Sequence, residues 1–299
     1  MESKYSILIL FFSAVNSAKI LGWFTCPSIS HQGVFQPIWK ELSLRGHEVT
    51  VITSDPLKVP ILNNLTEIDM KFTYALWKDI DISNMRREVM SSFEIQYNFQ
   101  RVHERALEMA FKVKEIQEVM RKPKHYFDLI LVESHHPIIY GLQHKFGAPL
   151  ISISSLGNYN FLHFLSGNSI HPYLYKDFVS DLFGELTMWE KFDSIYLVVG
   201  SYILNKFIIY PHADKIARSY FGDDMPYIEE MVKNTSLWFE NVNPIFADRK
   251  PLAPNYMQFS HSKPIDRTPL PKVCFPNFLE HIFFKLNIGS SITDWFICG

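Results

Sequence analysis

Short apolar runs alternate with helix-like segments in the first part of the chain. The run ILGWFT at residues 20–25 is bounded by Pro27 and predicts a strand. Apolar side chains recur at the helical period over 35–45, and Gly46 predicts the end of that helix. Residues 48–53 (EVTVIT) are β-branched and apolar, which predicts a second strand. A strand, a helix and a strand at this spacing form a βαβ unit, and such crossovers imply a parallel sheet.

The same alternation continues to about residue 154. The run FDLILV is continuously apolar, as expected of a strand covered on both faces. Gly147 follows a helix-like segment and predicts the end of that helix. The pattern as a whole predicts an α/β fold with a doubly wound parallel sheet. The further predicted elements are a weak strand at 71–76, one long amphipathic helix at 93–120, a strand at 127–132, a helix at 138–146 and a strand at 150–154.

The segment after the fifth strand is loop-like and rich in aromatic residues. Residues 157–181 suit the lining of a ligand pocket, a lid or part of the core. Residues 188–209 are apolar enough for a buried helix that Asn205 and Lys206 interrupt, and we do not predict a membrane span there.

Two short helices and a strand are expected next, and the pattern then weakens. Five prolines within residues 247–272 predict an extended linker. The tail at 273–299 has no clear helical or strand period. The expected elements before the linker are helices at 214–221 and 225–233 and a strand at 237–241.

The composition excludes some partners and suggests a compartment. The net charge is −2 and there is no basic stretch, so nucleic acid is not a predicted partner. Residues 1–18 (MESKYSILILFFSAVNSA) combine Lys4, a short apolar run and small residues, which is typical of a cleaved signal peptide. The run is too short to cross a bilayer. We therefore predict a protein of the secretory pathway, in the endoplasmic reticulum lumen or secreted.

Cysteines and glycosylation sequons are compatible with that compartment. Cys26, Cys274 and Cys298 have no metal-binding spacing, and Cys26 is expected to be a small buried residue. The sequons NLT and NTS predict glycosylation at Asn64 and Asn234.

The candidate chemistry lies where two predicted strands end. His31 follows the first strand and Glu133 closes FDLILVE, and the carboxyl ends of parallel strands meet at one edge of the sheet. An imidazole with a pKa near 6.5 can act as a general base, and a carboxylate can orient it and balance its charge. The alternative is that His31 is a polar residue near a helix and Glu133 merely begins a loop.

Other motifs give no second site. Neither a dinucleotide-binding glycine motif nor a phosphate-binding loop occurs, so no bound cofactor or nucleotide site of those kinds is predicted. His135 and His136 are adjacent and would point in opposite directions on an extended segment, so we interpret them as loop residues and predict no metal site.

Several stretches resemble one family in order and spacing. These are SISHQ, RGHEVTVIT, FDLILVE, HKFGAPLISISS, HPYLY, MWEK, PYIEEMVKNTSLWFENVNP and PLAPN, within residues 19–272. Together they resemble the amino-terminal half of UDP-glycosyltransferases of the UDP-glucuronosyltransferase type, in particular the insect members.

The resemblance implies a GT-B enzyme with two Rossmann-like domains around a cleft. Residues 19–246 would form the acceptor-binding domain, and the UDP-sugar would be a co-substrate bound by the other domain. His31 would remove the proton of a small lipophilic acceptor's hydroxyl, and Glu133 would hold the imidazole where the family has an aspartate. The resemblance further implies inverting transfer of glucose or glucuronic acid, as in detoxification.

The resemblance weakens near residue 272. We find neither the HGG-containing donor signature nor the terminal membrane-spanning helix of the family, so we expect an atypical, truncated terminus with weak or no activity. The alternatives are a non-catalytic form that binds lipophilic ligands or pairs with full-length members, and a fragment that folds poorly.

Overall fold

The computed structural model describes residues 17–78, 92–175, 177, 185–243 and 250–260. The predicted tail at 273–299, most of the predicted signal peptide and the end of the predicted linker lie outside the described residues.

Seven strands form one parallel sheet in the order β3-β2-β1-β4-β5-β6-β7. This sheet confirms the predicted α/β, Rossmann-like fold. The order also creates a switch point, because the chain builds outward from β1 to β3 and then returns to place β4 on the other side of β1. The strands are β1 (Lys19–Phe24), β2 (Glu48–Thr53), β3 (Leu65–Asp69), β4 (Leu129–Glu133), β5 (Leu150–Ser154), β6 (Leu237–Asn241) and β7 (Tyr256–Phe259).

Helices cover the faces of the sheet and connect its strands. The α-helices are α1 (Ile29–Leu44), α2 (Ser92–Ala110), α3 (Lys114–Met120), α4 (Gly141–Phe146), α5 (Asn160–Leu165), α6 (Met188–Leu204), α7 (Tyr210–Phe221) and α8 (Ile228–Lys233). The shorter helical segments are two 3₁₀ helices at Lys71–Lys78 and Pro137–Tyr140, and a π turn at Asn205–Ile209 that joins α6 to α7.

Apolar side chains lie on both faces of the sheet, as β1 illustrates. Leu21 and Trp23 belong to the larger core cluster, whereas Ile20 and Phe24 belong to the cluster on the opposite face. Successive strand residues point to opposite faces. A strand packed on both faces is therefore apolar at consecutive positions, which is the pattern that predicted it.

The third strand lies earlier in the chain than predicted. Strand β3 occupies Leu65–Asp69 and pairs with β2, and the predicted strand at 71–76 is instead the 3₁₀ helix. Met70 N–H still bonds Thr53 at the end of β2, and Thr73 then bonds back to the Met70 carbonyl. The chain turns there, so its apolar residues pack as a helical turn.

The long helix predicted at 93–120 is two helices. The end of α2 tightens, since Val113 N–H bonds the carbonyl of Ala110, three residues back. Val113 itself has an extended backbone (φ −74°, ψ 128°), and α3 begins after it. The apolar period continues across this break, so the pattern alone did not reveal it.

The sheet extends past the predicted domain boundary at residue 246. Strand β7, which lies within the predicted linker, pairs in parallel with β6 from Trp238↔Tyr256 to Asn241↔Phe259. Proline is tolerated at the start of an edge strand, so a proline-rich approach does not exclude a strand.

The apolar helix predicted to be buried is largely exposed. Helix α6 begins at Met188 because Thr187 and Glu190 form a capping box. Only about a fifth of the most apolar window of Met188–Phe221 is buried, at 22%. By length and composition this run could cross a membrane, a property that it shares with core helices of soluble proteins. Its large exposed side chains are Met188, Trp189, Phe192, Ile195, Tyr196, Val199, Ile203, Phe207 and Ile208.

Candidate active site

His31 lies in the first turn of α1, not in the loop in which it was predicted. The helix begins at Ile29, six residues before the predicted start at 35, after an extended Ser28. Gln32 anchors this turn, because its amide Nε2 donates to the Phe24 carbonyl at 2.9 Å and the Cys26 carbonyl at 2.8 Å. Polar residues in this turn concealed the helix from an apolar-period analysis.

The fold brings His31 and Glu133 into direct contact. The His31 Nδ1 and Glu133 Oε1 atoms are 3.1 Å apart, although the residues are 102 positions apart in sequence. Glu133 ends β4, and β4 pairs with β1, which leads into His31. The pair therefore occupies the carboxyl edge of the sheet at the switch point, where open α/β sheets bind ligands.

The two members of this pair differ in exposure. The Glu133 side chain is 4% exposed and the His31 side chain 13%. Glu133 Oε2 also accepts the backbone N–H of Cys26 at 3.2 Å. The carboxylate is thus held from two sides beneath the imidazole, and the imidazole is the member that solvent reaches.

Burial and charge act in opposite directions on the pKa values of this site. Burial raises the pKa of Glu133, but the hydrogen bond and positive charge of His31 outweigh it and leave this pKa below its ordinary value. Burial lowers the pKa of His31, but the Cys26 and Glu133 side chains raise it well above its ordinary value. A higher pKa makes the imidazole a stronger base. It also means that a larger fraction of the imidazole is protonated at neutral pH.

Two residues that sequence analysis did not assign to the site also contact it. Cys26 is buried, and burial raises the pKa of its thiol, but His31 and other neighbours leave that pKa below its ordinary value. The ring of His103, on α2, interacts with the same thiol. Cys26 lies two residues after β1 and close to His31 in sequence, whereas His103 joins the site only through tertiary packing.

His135 and His136 follow Glu133 in a loop, as predicted, but both are largely shielded from water. His135 bonds the Ser154 hydroxyl through Nε2 at 2.9 Å, and His136 Nε2 lies 3.0 Å from the His103 carbonyl oxygen. Burial lowers the pKa of His135 to about 4 and that of His136 to about 3. Both rings are therefore neutral near pH 7.

A small cavity of about 10 Å³ begins one residue beyond Glu133. It is lined on one side by Ser134 and His135, which directly follow Glu133, and on the other by the aromatic segment after β5. That segment forms helix α5 within the stretch predicted to be loop-like. The remaining lining residues are Gln96, Gln100, Pro137, Tyr159, Phe161, Leu162, Asn205 and Tyr210.

The two predicted glycosylation sites differ in their surroundings. The Asn64 amide Nδ2 donates to the carbonyls of Ser43 and His47, each at 2.7 Å, so a glycan there would replace such a bond. Asn234 is exposed at the end of α8. Glycosylation at both positions stays a prediction.

Comparisons with known proteins agree with the sequence resemblance. UDP-glucosyltransferase 2 of Dactylopius coccus is 32% identical, over 98% of this chain and 58% of that protein. The ecdysteroid UDP-glucosyltransferase of Lymantria dispar multicapsid nuclear polyhedrosis virus is 28% identical, over 82% of this chain and 49% of that protein. No protein-family model matches the chain.

Solved structures show a weaker similarity. The glycosyltransferase SnogD from Streptomyces nogalater is 14% identical with a TM-score of 0.43, over 86% of this chain and 55% of that chain. In sequence, this chain spans about half the length of the relatives it matches. The chain belongs to the UDP-glycosyltransferase family.

Proposed function

We propose that this chain binds a small lipophilic acceptor and that His31 is the general base in transfer of a hexose from a UDP-sugar to the acceptor's hydroxyl. The observation that carries the proposal is the 3.1 Å contact between His31 Nδ1 and Glu133 Oε1 at the switch point of the sheet. Homology to UDP-glucosyltransferases supports the UDP-sugar as donor, with glucose favoured and glucuronic acid as the alternative.

The proposed reaction is a single displacement with inversion at the anomeric carbon. The acceptor oxygen bonds to that carbon while its bond to the UDP oxygen breaks, and the hydroxyl proton passes to Nε2 of His31. Glu133 holds Nδ1 and stabilises the imidazolium that forms. Glu133 has one methylene more than the family's aspartate, yet it reaches the ring at hydrogen-bond distance.

The aromatic segment beside Glu133 is proposed to contact the acceptor. Tyr159, Phe161 and Leu162 offer apolar side chains, and Gln96 and Gln100 offer hydrogen-bonding groups, around a cavity of about 10 Å³. This cavity has room for about one water molecule, so a lipophilic acceptor would lie outside it, over the exposed side of the His31 ring. The ecdysteroid name of one relative supports a steroid as a test acceptor alongside a simple phenol.

The test is glycoside formation by the purified full chain with UDP-glucose and either acceptor, followed by mass spectrometry. His31→Ala should lower turnover by about 10²–10⁴-fold, the usual contribution of a general base. Acceptor binding, followed by tryptophan fluorescence, should change little. His144→Ala is the matched control, because His144 lies on α4 near its carboxyl end, by the opposite edge of the sheet.

The outcomes separate the candidate functions. Turnover that survives in His31→Ala would refute the role of this base. Acceptor binding without turnover in the unaltered chain would favour the second candidate, a non-catalytic form that binds lipophilic ligands or pairs with full-length members. Failure to bind either acceptor would refute the acceptor site itself.

The cellular setting is also part of the proposal. A cleaved signal at residues 1–18 and glycans at Asn64 and Asn234 would place the protein in the lumen of the secretory pathway. Digestion of the cell-derived protein with an N-glycosidase tests this, because a mass that does not fall would contradict it.

A further inference from the structure

Three potential metal ligands converge at the carboxyl edge of β1 and β4, and a further histidine lies beside one of them. One ligand atom each from Cys26, His31 and Glu133 lies within 4.8 Å of the other two. The ring of His103 interacts with the Cys26 thiol from the side of α2. Cys26 and His31 are five residues apart, but His103 and Glu133 lie far along the chain, so the sequence spacing gave no indication of a metal site.

The separations suit a transition metal. Zinc–ligand bonds of about 2.0–2.3 Å in a tetrahedron place neighbouring ligand atoms about 3–4 Å apart. The His31 and Glu133 ligand atoms, 3.1 Å apart, already have that separation. A set of one thiolate, two imidazoles and one carboxylate favours Zn²⁺ over Mg²⁺ or Ca²⁺, which prefer oxygen ligands alone.

His103 is an independent indication of a ligand. It is 4% exposed, and apart from the Cys26 thiol its Nε2 has no hydrogen-bond partner in the part of the chain that the structure describes. Its Nδ1 lies 2.9 Å from the Phe99 carbonyl oxygen, which places the ring proton on Nδ1 and a lone pair on Nε2. Metal-binding histidines are commonly oriented in this way by a backbone carbonyl. A thiol is only a weak hydrogen-bond partner for a buried nitrogen, whereas a metal ion between the two would bind both.

We propose that Cys26, His31, His103 and Glu133 form a binding site for Zn²⁺. Binding releases the thiol proton, because the thiolate is the ligand. The ion would take a nitrogen of His31 and the carboxylate that orients this ring, so metal binding and base catalysis would exclude each other. The inhibitory part of this inference rests on the proposed function, whereas the metal site does not.

Cobalt substitution tests the site without reference to activity. The reduced full chain is titrated with Co²⁺, whose visible absorption reports tetrahedral geometry and whose near-ultraviolet charge-transfer absorption reports a thiolate ligand. One equivalent should give both signals, and Zn²⁺ should then displace them. Absence of a saturable signal at one equivalent would overturn the proposal.

The variants are chosen to separate this site from any other thiol. Cys26→Ser should abolish the charge-transfer signal, whereas the matched control Cys274→Ser/Cys298→Ser should retain it. His103→Gln should weaken Zn²⁺ binding by more than the roughly 10- to 100-fold lost with a residue that only supports a ligand, as measured by competition with a chromophoric chelator. Cooperative thermal unfolding of each variant shows that it is folded. A charge-transfer signal that survives in Cys26→Ser would overturn the assignment.

An activity measurement then addresses the second half of the inference. If the unaltered chain transfers sugar, Zn²⁺ should inhibit it and a chelator should restore it, while the Cys26→Ser variant should be less sensitive. Zinc binding together with uninhibited transfer would overturn mutual exclusion and leave the metal site standing. Zinc binding in a chain that transfers nothing would count against the proposed function alone.

Discussion

Two histidine–carboxylate pairs occupy the carboxyl edge of the sheet, and their surroundings differ. His31 and Glu133 approach to 3.1 Å at the end of β4, and His163 and Glu240 to 3.3 Å at the end of β6. The His163 side chain is 1% exposed, compared with 13% for His31. A short contact between these residue types therefore does not identify a catalytic pair by itself.

The hydrogen bonds around the two pairs show the difference. Glu240 accepts the Asn158 backbone N–H at 2.7 Å and the Gln258 amide at 3.0 Å. Both ring nitrogens of His163 are engaged, Nδ1 by Asn168 at 2.9 Å and Nε2 by Lys250 at 2.6 Å. The pair at β6 is a closed network that fastens α5 to the sheet edge. The pair at β4 presents a ring that solvent reaches.

The largest expected effect is on stability at the closed network. Glu240→Ala should lower the free energy of unfolding by about 3–5 kcal/mol, because it leaves buried donors without their shared carboxylate. Urea unfolding measures this, with Glu48→Ala as the control: Glu48 is half exposed, and its ion pair with Lys19 should contribute less than about 1 kcal/mol. A loss below about 1 kcal/mol for Glu240→Ala would remove the distinction between the two pairs.

Lowering the pH should remove the contribution of the same network to stability. Burial raises the pKa of Glu240, but His163, Lys250 and Asn158 outweigh it and lower this pKa to about 2 from an ordinary 4.5. The carboxylate's contribution, about 3 kcal/mol, is therefore complete above pH 4.5 and is lost as the pH falls towards 2. Urea unfolding of the unaltered chain and Glu240→Gln should converge over that range. A difference that is independent of pH would contradict this.

The amide that supports Glu240 from the edge strand should have a smaller effect. Gln258→Ala should cost about 1.5–3 kcal/mol, the range for a hydrogen bond to a charged group. Met257 on the same strand is 51% exposed, and Met257→Ala should stay within about 0.5 kcal/mol. Equal losses for the two variants would show that the amide bond contributes nothing beyond packing.

The smallest expected effect on stability is at the proposed catalytic ring. His31→Ala should cost about 1 kcal/mol, because water can enter the vacated space and solvate Glu133, which keeps its bond to the Cys26 N–H. His163→Ala, whose ring is enclosed, should cost more in the same urea experiment. If His31→Ala were the more damaging variant, the ring at β4 would be a structural residue like its counterpart.

Much of the fold was predictable from local pattern. The strands at β1, β2, β4 and β5 are short apolar runs, and the predicted strand at 237–241 matches β6. The helix end at Gly147 was also predictable, since its φ of +62° is readily adopted by glycine. Each of these signals lies within a few residues of the element that it predicts.

The errors lie where contacts distant in sequence decide the outcome. Strand β3 is selected by pairing with β2, and β7 by pairing with β6, and neither segment carries a strong strand pattern of its own. The apolar composition of helix α6 predicts a core helix, yet most of the apolar surface of this helix is exposed. Composition predicts how apolar a helix is, but it does not determine what covers it.

Local patterns were enough to establish the α/β class and to mark His31 and Glu133 as candidates, because βαβ periodicity and strand-end positions are local properties. Only the tertiary structure decided that β4 lies beside β1, which turns two residues distant in sequence into a hydrogen-bonded pair. It also brought His103 to the same edge, beside Cys26, and enclosed His163 with Glu240 in a network of its own. Strand order is a choice among long-range pairings, and such pairings depend on how the elements pack together.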